Sequence, residues 1–383
     1  MAGIIAQAMN HGNLVMSRTS DIPYHVLEAT YQQYLRQASL QAANDRISNG
    51  IAGLPIFPLY SFNLDGLYGS VDGQKFGVER PTVKARHSRK YFGRGKGVVA
   101  YTLLCNHVPL QSWIIGAHEF EAHHVFDIWY RNTSDIVPTT ITGDMHSVNK
   151  ANFAILYWFG LRFEPRFTDL EEQLKELYCA DDPALYEKCL IRPVGQIDLP
   201  AVVDEKTNID QIVATLGLKE MSQGTLIRKL CTYTASNPTR RVIFEFDKLI
   251  RSIYTLRSLR DPQVERNVRR SQNRIESYHQ MRLAIAQVGG KKELTGRTDI
   301  EIEIEISNQC ARLIANTIIY YNSAILSRLL TKCEASGNEK ILTLLKKISP
   351  AAWRHIHLNG HYTFHGDGQA IDLDAIVAAL ELG

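Results

Sequence analysis

No apolar run in the sequence approaches the roughly 18 residues a membrane span needs. The longest candidates, such as Phe153 to Leu161, fit a buried helix turn or strand. No membrane association is therefore expected. Cysteine is scarce: Cys105, Cys179, Cys189, Cys231, Cys310 and Cys333 are scattered with no Cys-x-x-Cys pair, which excludes a zinc site of that kind and a disulfide framework. Reduced, partly buried thiols are expected. The opening Met-Ala-Gly-Ile-Ile-Ala-Gln lacks the basic start and apolar core of a secretory signal, so the chain is expected in the cytoplasm. Internal repeats and low-complexity segments are absent as well, which excludes a solenoid. What remains is an ordinary folded composition, 45% hydrophobic over 383 residues, enough for two or three domains.

Net charge is also small, at +3, but it is unevenly spread. From Pro238 to Arg274 ten basic residues, Arg269, Arg270 and Arg274 among them, face four acidic ones, leaving the rest of the chain net acidic. Such a stripe reads either as a footprint for nucleic-acid phosphates or as a solvated helix face.

Along the chain, residues 1–60 read as helical, with Tyr24, Val26, Leu27, Thr30 and Tyr31 at helix spacing. Leu67 to Gly77 reads as a short strand ending at Asp72, at a glycine turn. Val98–Cys105 and Gln111–Gly116 read as a hairpin. A helix over 118–130 and a β-rich run from Thr139 to Asp144 follow, then a helix from Ser147 to Phe159 and a strand over 162–167. The order strand, strand, strand, helix, strand, helix, strand is the plan of an RNase H-like α/β fold, a mixed five-stranded sheet with flanking helices. Its first and fourth strands lie side by side, which would bring Asp72 and Asp144 together.

Residues from about 168 to 260 then read as a helical insertion. The expected organisation is a helical region over 1–60, a catalytic domain over 61–287 and a mainly helical region over 288–383. The helix from Pro262 to about Gln287 should bury Val264, Val268, Ile275, Met281 and Ile285. Its polar side should carry Arg269, Gln272, Asn273, Glu276, His279 and Gln280. Glu301 to Ile306 alternates acid with isoleucine, which reads as a half-buried edge strand, and Cys310–Leu330 reads as an apolar helix.

Two strand-end aspartates and a helical glutamate are what two-metal phosphoryl transfer requires, with two divalent ions roughly 4 Å apart activating the attacking oxygen and stabilising the leaving one. Mg2+ suits an all-oxygen set, so no histidine or cysteine is needed. The acids of Glu301–Glu305 are an alternative source for the third carboxylate.

Five stretches together carry a resemblance: Val71-Asp72-Gly73-Gln74-Lys75-Phe76, His87–Gly93 with Gly95-Lys96-Gly97, Gly143-Asp144-Met145-His146, Asn273-Arg274-Ile275-Glu276, and Asn316–Asn322. In this order they resemble the catalytic part of Tn-three family transposases, from about residue 10 to the C-terminus. The resemblance implies a DDE transposase with Asp72, Asp144 and Glu276 as catalytic metal ligands, Mg2+ as cofactor with Mn2+ as substitute, and 3′-end cleavage and strand transfer as the reaction. The implied partners are double-stranded DNA, both terminal inverted repeats and target, and a second copy of the complete protein. Lys75, Arg94, Lys96, His146, Arg269, Arg270, Arg274 and His279 are the corresponding candidates for contacting DNA.

Three departures stand out: Met145 and Ser147 flank His146 where the family has a different turn, Ile275 precedes the glutamate where a small residue is usual, and the Ile-Glu alternation is one unit longer. The family's proteins are also much longer, with N-terminal domains that recognise the element's ends, so this chain is expected to be a truncated or partial copy. A non-catalytic DNA-binding remnant and an RNase H-like nuclease are the alternatives. His118, His123 and His124 lie close together without a partnering ligand motif and read as structural. Gly93-Arg94-Gly95-Lys96-Gly97 lacks the frame of a nucleotide-binding loop; it reads either as a basic turn touching DNA or as a plain hairpin connection.

Overall fold

The computed structural model describes residues 1–62, 66–294, 300–364 and 371–380. One mixed sheet organises the chain. Its strands are β1 (Tyr68–Val78), β2 (Arg86–His87), β3 (Lys96–Cys105), β4 (Val108–Gly116), β5 (Thr140–Gly143), β6 (Arg162–Phe163) and β7 (Glu293–Leu294). The main path across it is β4-β3-β1-β5-β6, with β2 on the edge of β3 and β7 beside the end of β1. β3 and β4 are joined by the two residues Asn106 and His107, both at positive φ (44° and 72°), the backbone that lets a two-residue hairpin match strand twist. Every residue of β4, and all of β3 after Lys96, is buried, so both faces of the sheet are covered here.

The helices that matter below are α1 (Ala2–Ala8), α2 (Gln37–Ala52), α3 (Val125–Tyr130), α4 (Asn152–Trp158), α5 (Pro238–Arg260), α6 (Pro262–Gln287), α7 (Glu301–Ser336) and α8 (Glu339–Leu345). α6 starts at Asp261, whose carboxylate accepts the Gln263 N–H at 2.9 Å, followed by Pro262, which fits the first turn because its missing N–H is not needed there. Val264, Val268, Ile275, Met281 and Ile285 are all buried, as their spacing predicts. The polar side is narrower than predicted: Gln272 and His279 are buried too, because the helix is pressed against β1 along its length.

α7 corrects the reading of Glu301–Ile306. That stretch is the first turns of a 36-residue helix, about 54 Å long, and not an edge strand. The helix runs across β4 and packs on α1 and α2, so the N-terminal helices and α7 form one layer on the sheet. It is buried nearly all round, which erases the one-sided periodicity that marks a surface helix. Arg312, with no exposed surface, donates to Leu110 O at 2.7 Å, Gln111 Oε1 at 3.0 Å and Gln41 Oε1 at 2.9 Å. Arg282 on α6, also buried, donates to Asn308 Oδ1 of α7 at 3.3 Å and lies over the Phe76 ring.

The predicted helix over 118–130 is a 3-10 turn (Glu121–His124) leading into α3, and the helix predicted from Ser147 begins only at Asn152. The strand predicted over 162–167 is the two residues of β6. Among the described residues no helix is long and apolar enough to cross a membrane.

Candidate active site

Asp72 does not end a strand, as the flanking glycines suggest. It lies in the middle of β1, paired with Thr102 of β3. Gly69 and Gly73 are places of close approach instead. A Cβ at Gly69 would press on Pro138 and Leu103, and one at Gly73 would overlap the carboxylate of Glu121 and the side chain of Val99.

What does end here is the neighbour. β5 runs parallel to β1 from Tyr68 opposite Thr140 to Val71 opposite Gly143, and the next residues are Asp72 and Asp144. Adjacent strands lie about 4.8 Å apart, so this register sets the two aspartates side by side. β7 joins the same side of β1 only at Gly77. Between these two partners, among the described residues, the edge of β1 from Asp72 to Phe76 is left open.

α6 spans this opening. Ser70 Oγ donates to Ser271 O at 3.1 Å and Gln74 Nε2 donates to His279 O at 2.8 Å, which fastens the helix to β1 on both sides of Asp72. Glu276 lies on the stretch between those anchors and is exposed. The imidazole of His279 is buried against Asp72, Nδ1 to Oδ2 at 3.5 Å. A fourth carboxylate, Glu121, enters from the 3-10 turn after β4, held against Gly73 by the missing Cβ.

The electrostatics follow from this crowding. Burial pushes the Asp72 carboxyl well above the usual carboxylate range, and the charges of Glu121, Asp144 and Glu276 push it further, against the pull of the Gly73 N–H that it accepts at 2.8 Å. Glu121 is raised as well, first by burial and then by Asp144, with Lys75 and His146 opposing. His279 cannot supply the balancing charge, since burial, with Lys292 and Arg282 nearby, pushes its pKa down to about 3 and leaves the ring neutral. Tyr101 lies fully buried beneath the carboxylates. Burial and the charges of Glu121, Asp72 and Asp144 raise its hydroxyl, against the pull of the nearby Ser147 hydroxyl.

Among the described residues no three His, Cys, Asp or Glu side chains stand close enough to enclose a metal ion as they are. The donor set nevertheless fits a hard divalent cation: Asp72 and Glu121, both raised by burial and by neighbouring acids, Asp144 and Glu276 beside them, a neutral histidine, and no thiolate. Glu305, the alternative third carboxylate, is elsewhere. It accepts the Ile114 N–H of β4 at 2.8 Å, two strands from β1.

Of the candidate DNA contacts, Lys75 sits over the Tyr91 ring with Nζ 4.3 Å from its centre, and Arg94 and Lys96 are exposed around the turn into β3. His146 lies in the short turn that Asp144 caps, donating its N–H to Asp144 Oδ1 at 2.9 Å, so the altered residues after Asp144 still close the turn. Arg270 is exposed. His279 is turned inward and cannot reach DNA from there. The wider basic stripe is mostly spent within the protein: Arg241 on Asp198, Lys248 on Glu245, Arg251 on Asp247, Arg257 on Glu164 and Arg269 on Glu265. Arg240 donates to Tyr233 O, and Arg274 to Tyr60 O and Asn106 Oδ1. His124 pairs with Glu119 at 2.9 Å, which holds that glutamate down to about 2.

Glu121 and Tyr101 are the site residues that sequence reasoning missed. Both are carried in by register and by the space above Gly73; one acid after a hairpin gives no pattern to notice.

The family model for the Tn3 transposase DDE domain matches residues 1–362. The transposase for transposon Tn4556 from Streptomyces fradiae is 24% identical over 363 residues, which is 94% of this chain and 40% of that protein. The transposase for transposon gamma-delta from Escherichia coli (strain K12) is 23% identical over 366 residues, 95% of this chain and 36% of the relative. A third, the transposase for transposon Tn1546 from Enterococcus faecium, is 24% identical over 372 residues, 96% and 36% of the two chains. The chain thus spans two-fifths or less of the length of these relatives.

Proposed function

The chain belongs to the Tn3 transposase DDE domain family, and from that premise we propose that it is the catalytic part of a DNA transposase that cleaves the 3′ ends of an element and joins them to target DNA. The observation that supports this reading is the set of carboxylates around the open side of β1. Asp72, Asp144 and Glu276 would hold Mg2+, or Mn2+ in its place, and Glu121 stands beside them. When bound, the ions supply activation of the attacking oxygen, water in cleavage and the 3′ hydroxyl in joining, and stabilisation of the leaving one.

The residues of the chain do the positioning. Ser70 and Gln74 fix α6 over β1 on both sides of Glu276, the capped turn after Asp144 orients that carboxylate, and His279, neutral and buried, lies against Asp72 without competing as a cation. The strand path β4-β3-β1-β5-β6, with the first three antiparallel and the last two parallel to β1, supports an RNase H-like core. In this reading residues 61–287 carry the chemistry around a helical insertion of about 168–260, residues 1–60 and 288–383 brace it, and the DNA substrates are terminal inverted repeats and target, held by a dimer.

Strand cleavage and joining on DNA carrying an element's ends, with Mg2+ or Mn2+ and with whatever flanks the chain in its gene, test the reading. Metal-dependent cleavage and joining are expected. Cleavage without joining would make the protein a nuclease, and no metal-dependent reaction would leave it a DNA-binding remnant.

A further inference from the structure

A cleft of about 650 Å³ opens between α6, the segment before β1 and the residues around the end of α8. Arg270, Arg274, Lys346 and Lys347 line it, and no aspartate or glutamate is found among its described lining residues. The two lysines and Arg270 are exposed and have no carboxylate partner among the described residues, unlike most cations of α5 and the first turns of α6. Arg274 is fixed: it donates to Tyr60 O at 2.7 Å and Asn106 Oδ1 at 3.2 Å and lies 4.2 Å from the centre of the Phe62 ring. Those two bonds use two of the five N–H groups of the guanidinium. Tyr60 also lines the cleft, and its buried hydroxyl has no hydrogen-bond partner among the described residues. The cleft therefore has a surplus of donors and positive charge with no carboxylate among its described lining residues, and the Tyr60 hydroxyl is a buried donor left unused, which is costly.

We propose that this cleft binds successive backbone phosphates of a DNA strand on its way to the carboxylates. The inference rests on the reading of the chain as a DNA-processing enzyme. Arg266, Arg270 and Arg274 recur every four residues, about 6 Å apart along one side of α6, a spacing that suits consecutive phosphates of one strand better than a single free anion. Ser277, at the end of the cleft, directly follows Glu276, so a strand lying in the cleft runs to the site within one helical turn. The phosphates would be met by charge and hydrogen bonds without any reading of base sequence.

The test measures binding of a fluorescently labelled duplex by the whole chain in EDTA, across a range of salt concentrations, so that no metal-dependent chemistry enters. Lys346→Gln with Lys347→Gln should weaken binding roughly tenfold or more near 0.1 M salt and lower the salt slope by about 1.8, the value for two lost phosphate contacts on duplex DNA. The control pair Lys188→Gln with Lys229→Gln, exposed lysines outside the cleft, removes the same charge and should change binding little. Equal losses from the two pairs would overturn the proposal, as would a wild-type chain that binds no DNA. Saturable binding of inorganic phosphate or pyrophosphate that depends on Lys346 and Lys347, with DNA binding unaffected, would make the cleft a free-anion site and overturn it too. Failure here with intact metal-dependent cleavage leaves the catalytic reading standing; loss of cleavage with the cleft effect intact removes only the catalytic reading.

Discussion

Around the middle of β1, Asp72, Asp144, Glu276 and Glu121 crowd a break in the strand pairing, and the crowding adds to burial in raising the proton affinity of Asp72 and Glu121, whereas Arg282 and Arg312 are buried and held by neutral oxygens. The arginines meet carbonyls and amides placed by β4, α2 and α7, so the fold meets much of their charge, although Arg282 Nη1 and Arg312 Nε find no partner among the described residues. The carboxylates have less: Asp72 and Asp144 each accept one backbone N–H, and Glu276 faces solvent. Charge that the fold pairs with oxygens holds elements together, and like charge that it crowds together awaits something from outside.

The sharpest way to break this contrast is Asp72→Asn. Metal-dependent cleavage and joining should fall by about a thousandfold or more, since a lost ligand disables the whole unit. The metal-free protein should become more stable at neutral pH by roughly 2–4 °C in melting temperature. The sign follows from the raised folded-state pKa: ionised Asp72 costs stability above that pKa, and the cost disappears as pH falls toward the unfolded value, so the gain should vanish in acid. A variant less stable than wild type at pH 7 without metal would show that the carboxylate is satisfied after all.

On the other side, Arg312→Met should cost about 3–5 kcal/mol in urea denaturation, because buried Leu110 O and Gln111, and half-buried Gln41, lose a charged donor. A cost below about 1 kcal/mol would mean the layer is dispensable. Glu305→Gln tests an intermediate case, a buried carboxylate with a backbone partner. Burial pushes its pKa up to about 7, so it destabilises the fold increasingly as pH rises from about 4.5 through 7. The variant should gain up to about 3 kcal/mol at pH 8 and little at pH 4, read from denaturation midpoints. Last, Gly73→Ala should cost about 1 kcal/mol by pushing Glu121 aside, and thermal melting with added Mn2+ should show a smaller metal-induced rise than in wild type.

Much of the framework was legible in the sequence. The alternation and turn residues of the β3–β4 hairpin, the run into Asp144 and the buried stripe of α6 obey local rules, and the structure follows them. Asp72 was placed at a strand end because glycines usually punctuate; here Gly69 and Gly73 make room for Pro138 and Glu121, contacts made by chain 48 or more residues away. The Ile-Glu run of α7 misled because six residues of alternation also fit a helix buried on most sides: Ile304, Glu305 and Ile306 are all inside. The stripe of basic residues was visible, but nothing in it distinguishes cations spent on Glu164 or Asp247 from those left free, since those partners come from tertiary packing.

The break in pairing beside Asp72 also sets an order of assembly on the ribosome. β1, β3, β4 and β5, with both aspartates, precede α6 in the chain and can pair as soon as they emerge. Glu276 follows Asp144 by 132 residues, and β7, which closes the far side of the gap, comes later still. At roughly 5–20 residues per second, synthesis of that intervening stretch takes about 7–26 seconds. During that interval the chain has the strands that carry Asp72 and Asp144 but not the helix that spans the gap beside them, so that side of the sheet stays uncovered until α6 is made.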